Sequence, residues 1–392
     1  MKRKLLPLLI LIVGLPQLSE TVYTPALPDI SQALGVADAW IEYTLTIYLA
    51  GFAVGTLFWG RLSDRLGRKP CLLLGFLIYI LGCIGCYFSG SITLLMISRF
   101  IQAFGGSTGS VVGQAVLRDS FQGVERGKAY SILGTALAFS PAIGPIVGGM
   151  IDQNFGWPAI FLFLILFGLI TCYFTYIKLL ETHFPSSQHA ISLGHMTLKL
   201  IKNPRVMAYS VLVAGCSGIT FSFYAEGPFY LIEILGMNPV SYGSIFIGAA
   251  MTGVLGGWLS RKMHDHLTSL SIIKRGIGVV FLGSSLFMMM TIILNYFDAT
   301  PLLSIILTIG CMMIIMLGIA LIIPSSLSLA LDEYRNAVGT ASSLFGFFYY
   351  SLASLVTLGM GSLHNGSLLP MPIYFWGMTV LIWIVFSKWI AK

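Results

Sequence analysis

Polar residues interrupt this chain at short, regular intervals, and between them the sequence stays apolar for about 20 residues at a time, the length a helix needs to cross a bilayer. Twelve such stretches occur, at 5–27, 41–61, 70–89, 92–117, 129–151, 157–179, 206–232, 242–261, 272–294, 302–324, 338–361 and 371–390. They lack the alternation of barrel strands, so the pattern predicts helices. The expected fold class is an all-α membrane protein with 12 transmembrane helices. The longest connection, 180–205, is polar. It separates an N-terminal bundle, 1–180, from a C-terminal bundle, 206–392, with a linker at 181–205. "GRLS" at Gly60–Ser63 ends span 2 and "GWLS" at Gly257–Ser260 ends span 8, half a chain apart. That placement supports two repeated six-helix halves, a transporter plan with its site near the midplane.

Composition agrees with the membrane reading: 56% of the 392 residues are hydrophobic and 9% charged, against about 25% charged in soluble domains. The net charge of +7 would suit nucleic acid if it were spread over a surface. Instead the lysines and arginines, all but Arg99 inside span 4, sit in the tail before span 1 (Lys2, Arg3, Lys4), in the loops after the even-numbered spans, and at the C-terminus. The loops after odd-numbered spans hold acids such as Asp29, Asp38, Asp152, Glu233 and Asp298. This is a topology signal, and it predicts both termini to be cytoplasmic. No small-x-small cleavage site follows the basic tail, so an uncleaved first helix is expected.

The six cysteines lie almost entirely within apolar runs. Cys83 and Cys86 have CxxC spacing but no second pair, and read as packing residues. His183, His189 and His195 in the linker, with His264 and His266, read as solvated loop residues, so no metal is expected. No phosphate-binding glycine loop occurs, which leaves an ion gradient rather than a nucleotide as the energy source.

Three motifs are more specific. "GRLSDRLGRKP", Gly60–Pro70, resembles the signature loop of the major facilitator superfamily, with Gly60, Asp64, Arg65, Gly67 and Arg68 in place. "RFIQAFGGSTG" followed by "LRD" resembles its second motif, with Arg99, Gln102, Gly105, Gly106, Arg118 and Asp119. "SPAIGPIVGG" resembles the exporter motif of span 5, with Pro141, Gly144, Pro145, Gly148 and Gly149. "YTPALPDI", "YLAG", "GWPAIF", "GPFYLIEILG" and "AVGTASSLFG" extend the resemblance to the Bcr/CflA-like branch of twelve-helix drug:proton antiporters. It covers almost the whole chain and is weakest in the linker and the last span. It implies the major facilitator fold, a bacterial inner-membrane location and a monomer as working unit. It also implies a gate in which Asp64 meets the start of span 11 near Val338 and Arg68 bonds Asp119.

The candidate chemistry centres on Glu20, a carboxylate in span 1, and Arg99, a guanidinium in span 4. By count along their spans, both lie about 10 Å below the outer surface. Charges inside a span are costly and mark functional sites, so the two are expected partners in proton coupling. Relatives place this acid one residue later, at Thr21 here, and one residue is a rotation of about 100°. Tyr23, Tyr48, Gln102, Phe223 and Tyr224 are candidate cavity residues. Glu226 reads equally as a substrate contact or a vestibule residue.

The resemblance implies proton-coupled export of drug-like or amphipathic small molecules by alternating access, without cofactor, nucleic acid or enzymatic activity. The alternative is a carrier of a dedicated metabolite or siderophore, in either direction, on the same fold.

Overall fold

The structure, a computed structural model, describes residues 5–183, 193–297 and 300–391. Lys2, Arg3, Lys4, His189, Asp298 and Lys392 lie outside the described residues, as do the side chains of Arg335 and Val338.

The N-terminal half holds α1 (Leu5–Thr21), a 3₁₀ turn (Thr24–Ala26), α2 (Leu27–Leu34), α3 (Asp38–Leu66), α4 (Arg68–Tyr87), α5 (Ile92–Ser120), α6 (Gly123–Phe155) and α7 (Pro158–Lys178). After the linker helix α8 (Leu193–Ile201) come α9 (Pro204–Pro228), α10 (Pro239–His264), α11 (Ser269–Tyr296), α12 (Pro301–Ala330), α13 (Val338–Leu363) and α14 (Pro370–Val385). Starts are written locally. Proline stands in the first turn of α7, α9, α10, α12 and α14, where its missing N–H costs nothing. Asn203, Asn238 and Thr268 cap the first N–H groups of α9, α10 and α11.

Among the described residues eleven helices are both long and apolar enough to cross a membrane. The fourth expected span, α5, is 29 residues long but is not among them. Arg99, Gln102 and the small residues from Gly105 to Ser110 dilute its apolar character. It tolerates them because it packs along α3 and α4.

Two large buried apolar clusters form, one drawn almost wholly from α1–α7 and one almost wholly from α8–α14, with a small third of Tyr48, Phe52 and Ala103. The halves meet along α3 with α13 and α6 with α10. The linker is not simply polar. Met196 and Leu200, one turn apart on α8, are buried in the C-terminal cluster, and α8 packs on α9 and α13.

Candidate functional site

A cavity of about 500 Å³ lies between the halves, on the side of the basic loops. Arg61, Asp64 and Arg118 stand at its mouth, and Gln17, Phe52, Tyr349 and Tyr350 close it at mid-depth. Its walls mix small polar residues from α5 and α13, among them Ser110, Gln114, Thr340, Ser342 and Ser343, with aromatic rings at the closed end. The Phe52 and Tyr350 centroids are 4.7 Å apart and those of Tyr349 and Tyr350 4.2 Å. Gln17, Phe52 and the Tyr349–Tyr350 pair carry no motif that marks them in the sequence. The available signal was the small, polar stripe Ser343, Gly346 and Tyr350 at helical spacing on α13.

Past the cavity, towards the acidic loops, the halves close. Ser354 Oγ donates to the Thr46 carbonyl at 2.9 Å, from α13 to α3. A Cβ on Gly149 would lie 2.6 Å from the Pro239 carbonyl oxygen, and one on Gly243 2.6 Å from that of Pro145. The molecule is open at its basic end and shut at its acidic end.

Arg68, almost fully buried, organises the signature loop. Its Nη1 donates to Ser63 Oγ and Asp64 Oδ1, both at 2.7 Å, and its Nε to Asp119 Oδ2 at 3.1 Å. The Asp119 bond is the pairing that the resemblance implies. The Asp64 carboxylate bonds Arg68 within its own loop and is 54% exposed in the mouth, while the side chains at the start of α13, its expected partner, lie outside the described residues. Gly60 still approaches Ser343 of α13, a Cβ there falling 3.4 Å from Ser343 Cβ. Arg65 is exposed, and Arg118 Nε lies 3.8 Å from Asp119 Oδ1.

Gly67 has φ of +97°, a conformation that disfavours any side chain. A Cβ there would also meet Glu181 Oε2 at 2.6 Å. Glu181, an unremarkable acid of the linker, accepts from the backbone N–H of Arg68 at 2.8 Å and of Lys69 at 3.0 Å. It thereby satisfies the first N–H groups of α4, where a negative charge is favoured. Partial burial opposes ionisation of Glu181, but bonds from the N–H groups of His183, Arg68, Lys69 and Thr182 outweigh it and hold its pKa below the usual carboxylate value.

Glu20 and Arg99 form no direct ion pair, contrary to expectation. Arg99 is fully buried with its guanidinium between two rings, 4.3 Å from the Tyr23 centroid and 4.3 Å from that of Tyr48. Its Nη1 donates to Gln102 Oε1 at 2.7 Å, while Nε and Nη2 have no hydrogen-bond partner. Tyr48 donates to the Pro16 carbonyl at 3.0 Å, and Tyr23 shares a 2.9 Å bond with Thr44. Tyr23, Tyr48 and Gln102 therefore enclose Arg99 rather than line the cavity, a second correction. Gln102 also donates to Cys83 Sγ at 3.1 Å, which places the CxxC segment in this packing.

Glu20 lies one turn beyond the cavity residue Gln17, about 4.5 Å along the helix. Its Oε1 is buried and unpartnered. The carboxyl is within electrostatic range of Arg99, Tyr48, Tyr224, Tyr349 and Tyr350. Position 21, where the resemblance would put the acid, is closed here: Thr21 is buried against α6, and a Cβ on Gly144 would collide with its Oγ1. A Cβ on Gly148 would collide with the Val22 carbonyl oxygen. The proline- and glycine-rich segment of α6 thus seats the end of α1. Pro141 and Pro145 lie within α6, which runs unbroken from Gly123 to Phe155.

Phe223 and Tyr224 pack against Phe246 in the C-terminal core and do not line the cavity. Glu226 is at the shut end, away from it. Its Oε2 is 2.9 Å from His364 Nδ1, and Glu42 Oε1 is 3.3 Å from the same nitrogen. His364 and Glu42 lie 322 residues apart and only the fold unites them. The hydrogen bond to Glu226, opposed by burial and aided by the charges of Glu226, Asp38 and Glu233, raises the His364 pKa above the usual imidazole value.

Known proteins resemble this arrangement at two levels. The family model "Major Facilitator Superfamily" matches residues 9–357. An "Uncharacterized transporter" of Rickettsia felis is 34% identical over 94% of both chains. A "Chloramphenicol resistance protein" of Pseudomonas aeruginosa is 29% identical over 91% of this chain and 82% of its own. The xylose transporter XylE from E. coli, solved in an inward open conformation, superposes with TM-score 0.76 at 13% identity, covering 100% of this chain and 96% of that one. The chain therefore belongs to the Major Facilitator Superfamily and is a multi-pass membrane transporter of small molecules, not an enzyme.

Proposed function

We propose that this transporter exports drug-like, amphipathic small molecules by exchanging them for protons, as a monomer in a bacterial inner membrane with both termini cytoplasmic. The basic loops face the cytoplasm by the positive-inside rule, so the cavity is the cytoplasmic entrance. Its volume suits a drug-sized ligand, and its aromatic closed end with polar walls suits an amphipathic one. Relatives named for chloramphenicol, bicyclomycin and multidrug resistance support that substrate class.

The observation that carries the reading is the placement of Glu20: an acid with an unpartnered buried oxygen, one turn from the cavity's closed end. Without a fixed ion pair, it is free to gain and lose a proton as occupancy of the cavity changes its surroundings. Substrate arriving from the cytoplasm favours the ionised acid, and the emptied, outward-open carrier takes up a proton from outside. A proton falling through about 100 mV yields about 2.3 kcal/mol for the exchange.

Transport by reconstituted protein in vesicles with an imposed pH gradient tests this. Glu20→Gln abolishes gradient-driven accumulation while retaining substrate binding, and Glu20→Asp keeps part of the accumulation. Full proton-driven transport by Glu20→Gln would overturn the assignment. A drug-susceptibility panel on overexpressing and deletion strains tests the substrate class. Unchanged susceptibility throughout, with a defect in growth on a limiting nutrient, would instead favour a dedicated metabolite carrier.

A further inference from the structure

The carboxylates at the shut end have only one basic side chain beside them among the described residues, His364. Glu42 on α3 and Glu226 on α9 are 0% and 1% exposed, and both Glu42 oxygens are buried without a hydrogen-bond partner. No lysine or arginine occurs in 28–60, 216–260 or 336–387, the segments that build this end around them. The remaining charged neighbours, Asp38 and Glu233, are acidic too. His364, just past the end of α13, is the one basic group in reach among the described residues, and alone it leaves the cluster short of positive charge. A buried carboxylate stays charged only when it is paired or coordinates an ion, and otherwise takes up a proton.

The geometry points to a divalent transition-metal site of the zinc class, formed by Glu42, Glu226 and His364, in which the bound ion ties the two halves together at the acidic end. One imidazole nitrogen and two carboxylate oxygens are a zinc-type donor set. The donor atoms all lie within 4.8 Å of one another, with His364 Nδ1 at 2.9 Å from Glu226 Oε2 and 3.3 Å from Glu42 Oε1. Ligands around a tetrahedral zinc are separated by about 3.3 Å, so small side-chain adjustments admit the ion. The imidazole is also oriented for the task. Its other nitrogen, Nε2, faces Asp38 Oδ2 at 3.5 Å, the outer carboxylate that ligating histidines commonly have. The Phe229 ring packs against it, with centroids 5.5 Å apart. Asp38 is itself held by a hydrogen bond from Ser31.

Because Glu42 belongs to the N-terminal half, and Glu226 and His364 to the C-terminal half, the complete donor set exists only while this end is shut. An ion that binds the shut form alone at 100 times its dissociation constant favours that form about 100-fold. External zinc should therefore arrest the cycle.

Full-length protein, purified in detergent and stripped of metal, is titrated with Zn²⁺ against a fluorescent zinc indicator. One Zn²⁺ per chain is expected, undisturbed by millimolar Mg²⁺. Glu42→Gln, Glu226→Gln and His364→Asn each weaken it at least tenfold while eluting as monodisperse protein, and the loop variant His264→Asn does not. Spin labels at Trp40→Cys and Tyr296→Cys, one on each half, report opening of the acidic end. Zn²⁺ narrows their distance distribution to its short component, and Glu42→Gln abolishes that response. Absence of saturable binding, equal binding in all three site variants, or bound zinc with unchanged label distances would overturn the proposal. None of these readouts requires transport, so they stand apart from the test of Glu20.

Discussion

Arg99 carries a charge with no exposed surface and only one of its three nitrogens hydrogen-bonded. What stabilises it is the pair of tyrosine faces on either side. A planar guanidinium stacks between two rings, whereas an ammonium is a compact point charge that does not. A desolvated cation–π contact is worth about 2 kcal/mol. Arg99→Lys is therefore expected to lower stability by about 2 kcal/mol or more, read as a lower thermal midpoint of the purified protein in detergent. An unchanged midpoint would mean that the rings are bystanders. Arg99 and Glu20 were legible in the sequence because charges within apolar spans are conspicuous. Their relation was not. Depth along a helix follows from counting residues, but the direction in which each side chain points depends on how the helices rotate against one another. Equal depth suggested a pair; rotation gave Arg99 to Tyr23 and Tyr48 and left Glu20 unpaired.

Between α3 and α4 the signature loop works as a joint, and Glu181 is its fastening. The motif residues were legible because their spacing is specific. Glu181 was not, since it acts 113 residues from Arg68 and looks like any acid in a polar linker. Its effect on stability has a defined pH sign. A carboxyl whose folded-state pKa is depressed contributes fully above the ordinary carboxylate value, and the contribution disappears as pH falls through the depressed one. Glu181 is partly solvated, so the bonds are worth roughly 1 kcal/mol at neutral pH after screening. Glu181→Gln should lower the thermal midpoint at pH 7 and converge with the parent in acid. A difference that persists unchanged at low pH would show that the carboxylate charge is not the source.

The two ends of the molecule differ, and reagents that cannot cross a membrane report the difference. Ser342→Cys, in the exposed cavity wall, is expected to react with an impermeant maleimide applied from the basic side, while Ser354→Cys, buried against Thr46, stays protected. The reverse pattern would mean that the resting molecule faces the other way. Two halves were legible from the repeat and the linker. Which end is closed was not, because one sequence serves both packings and the free-energy gap between such states is only a few kcal/mol. The polar character of α5 bears on how the molecule is made. Arginine at the centre of an isolated helix opposes partition into lipid by roughly 2.5–3.5 kcal/mol, so α5 is a poor candidate to leave the translocation channel alone. Biogenesis should therefore hold α5 back until α3 and α4 are beside it, and a ribosome-bound chain cut short after α5 should integrate that helix only when those two precede it.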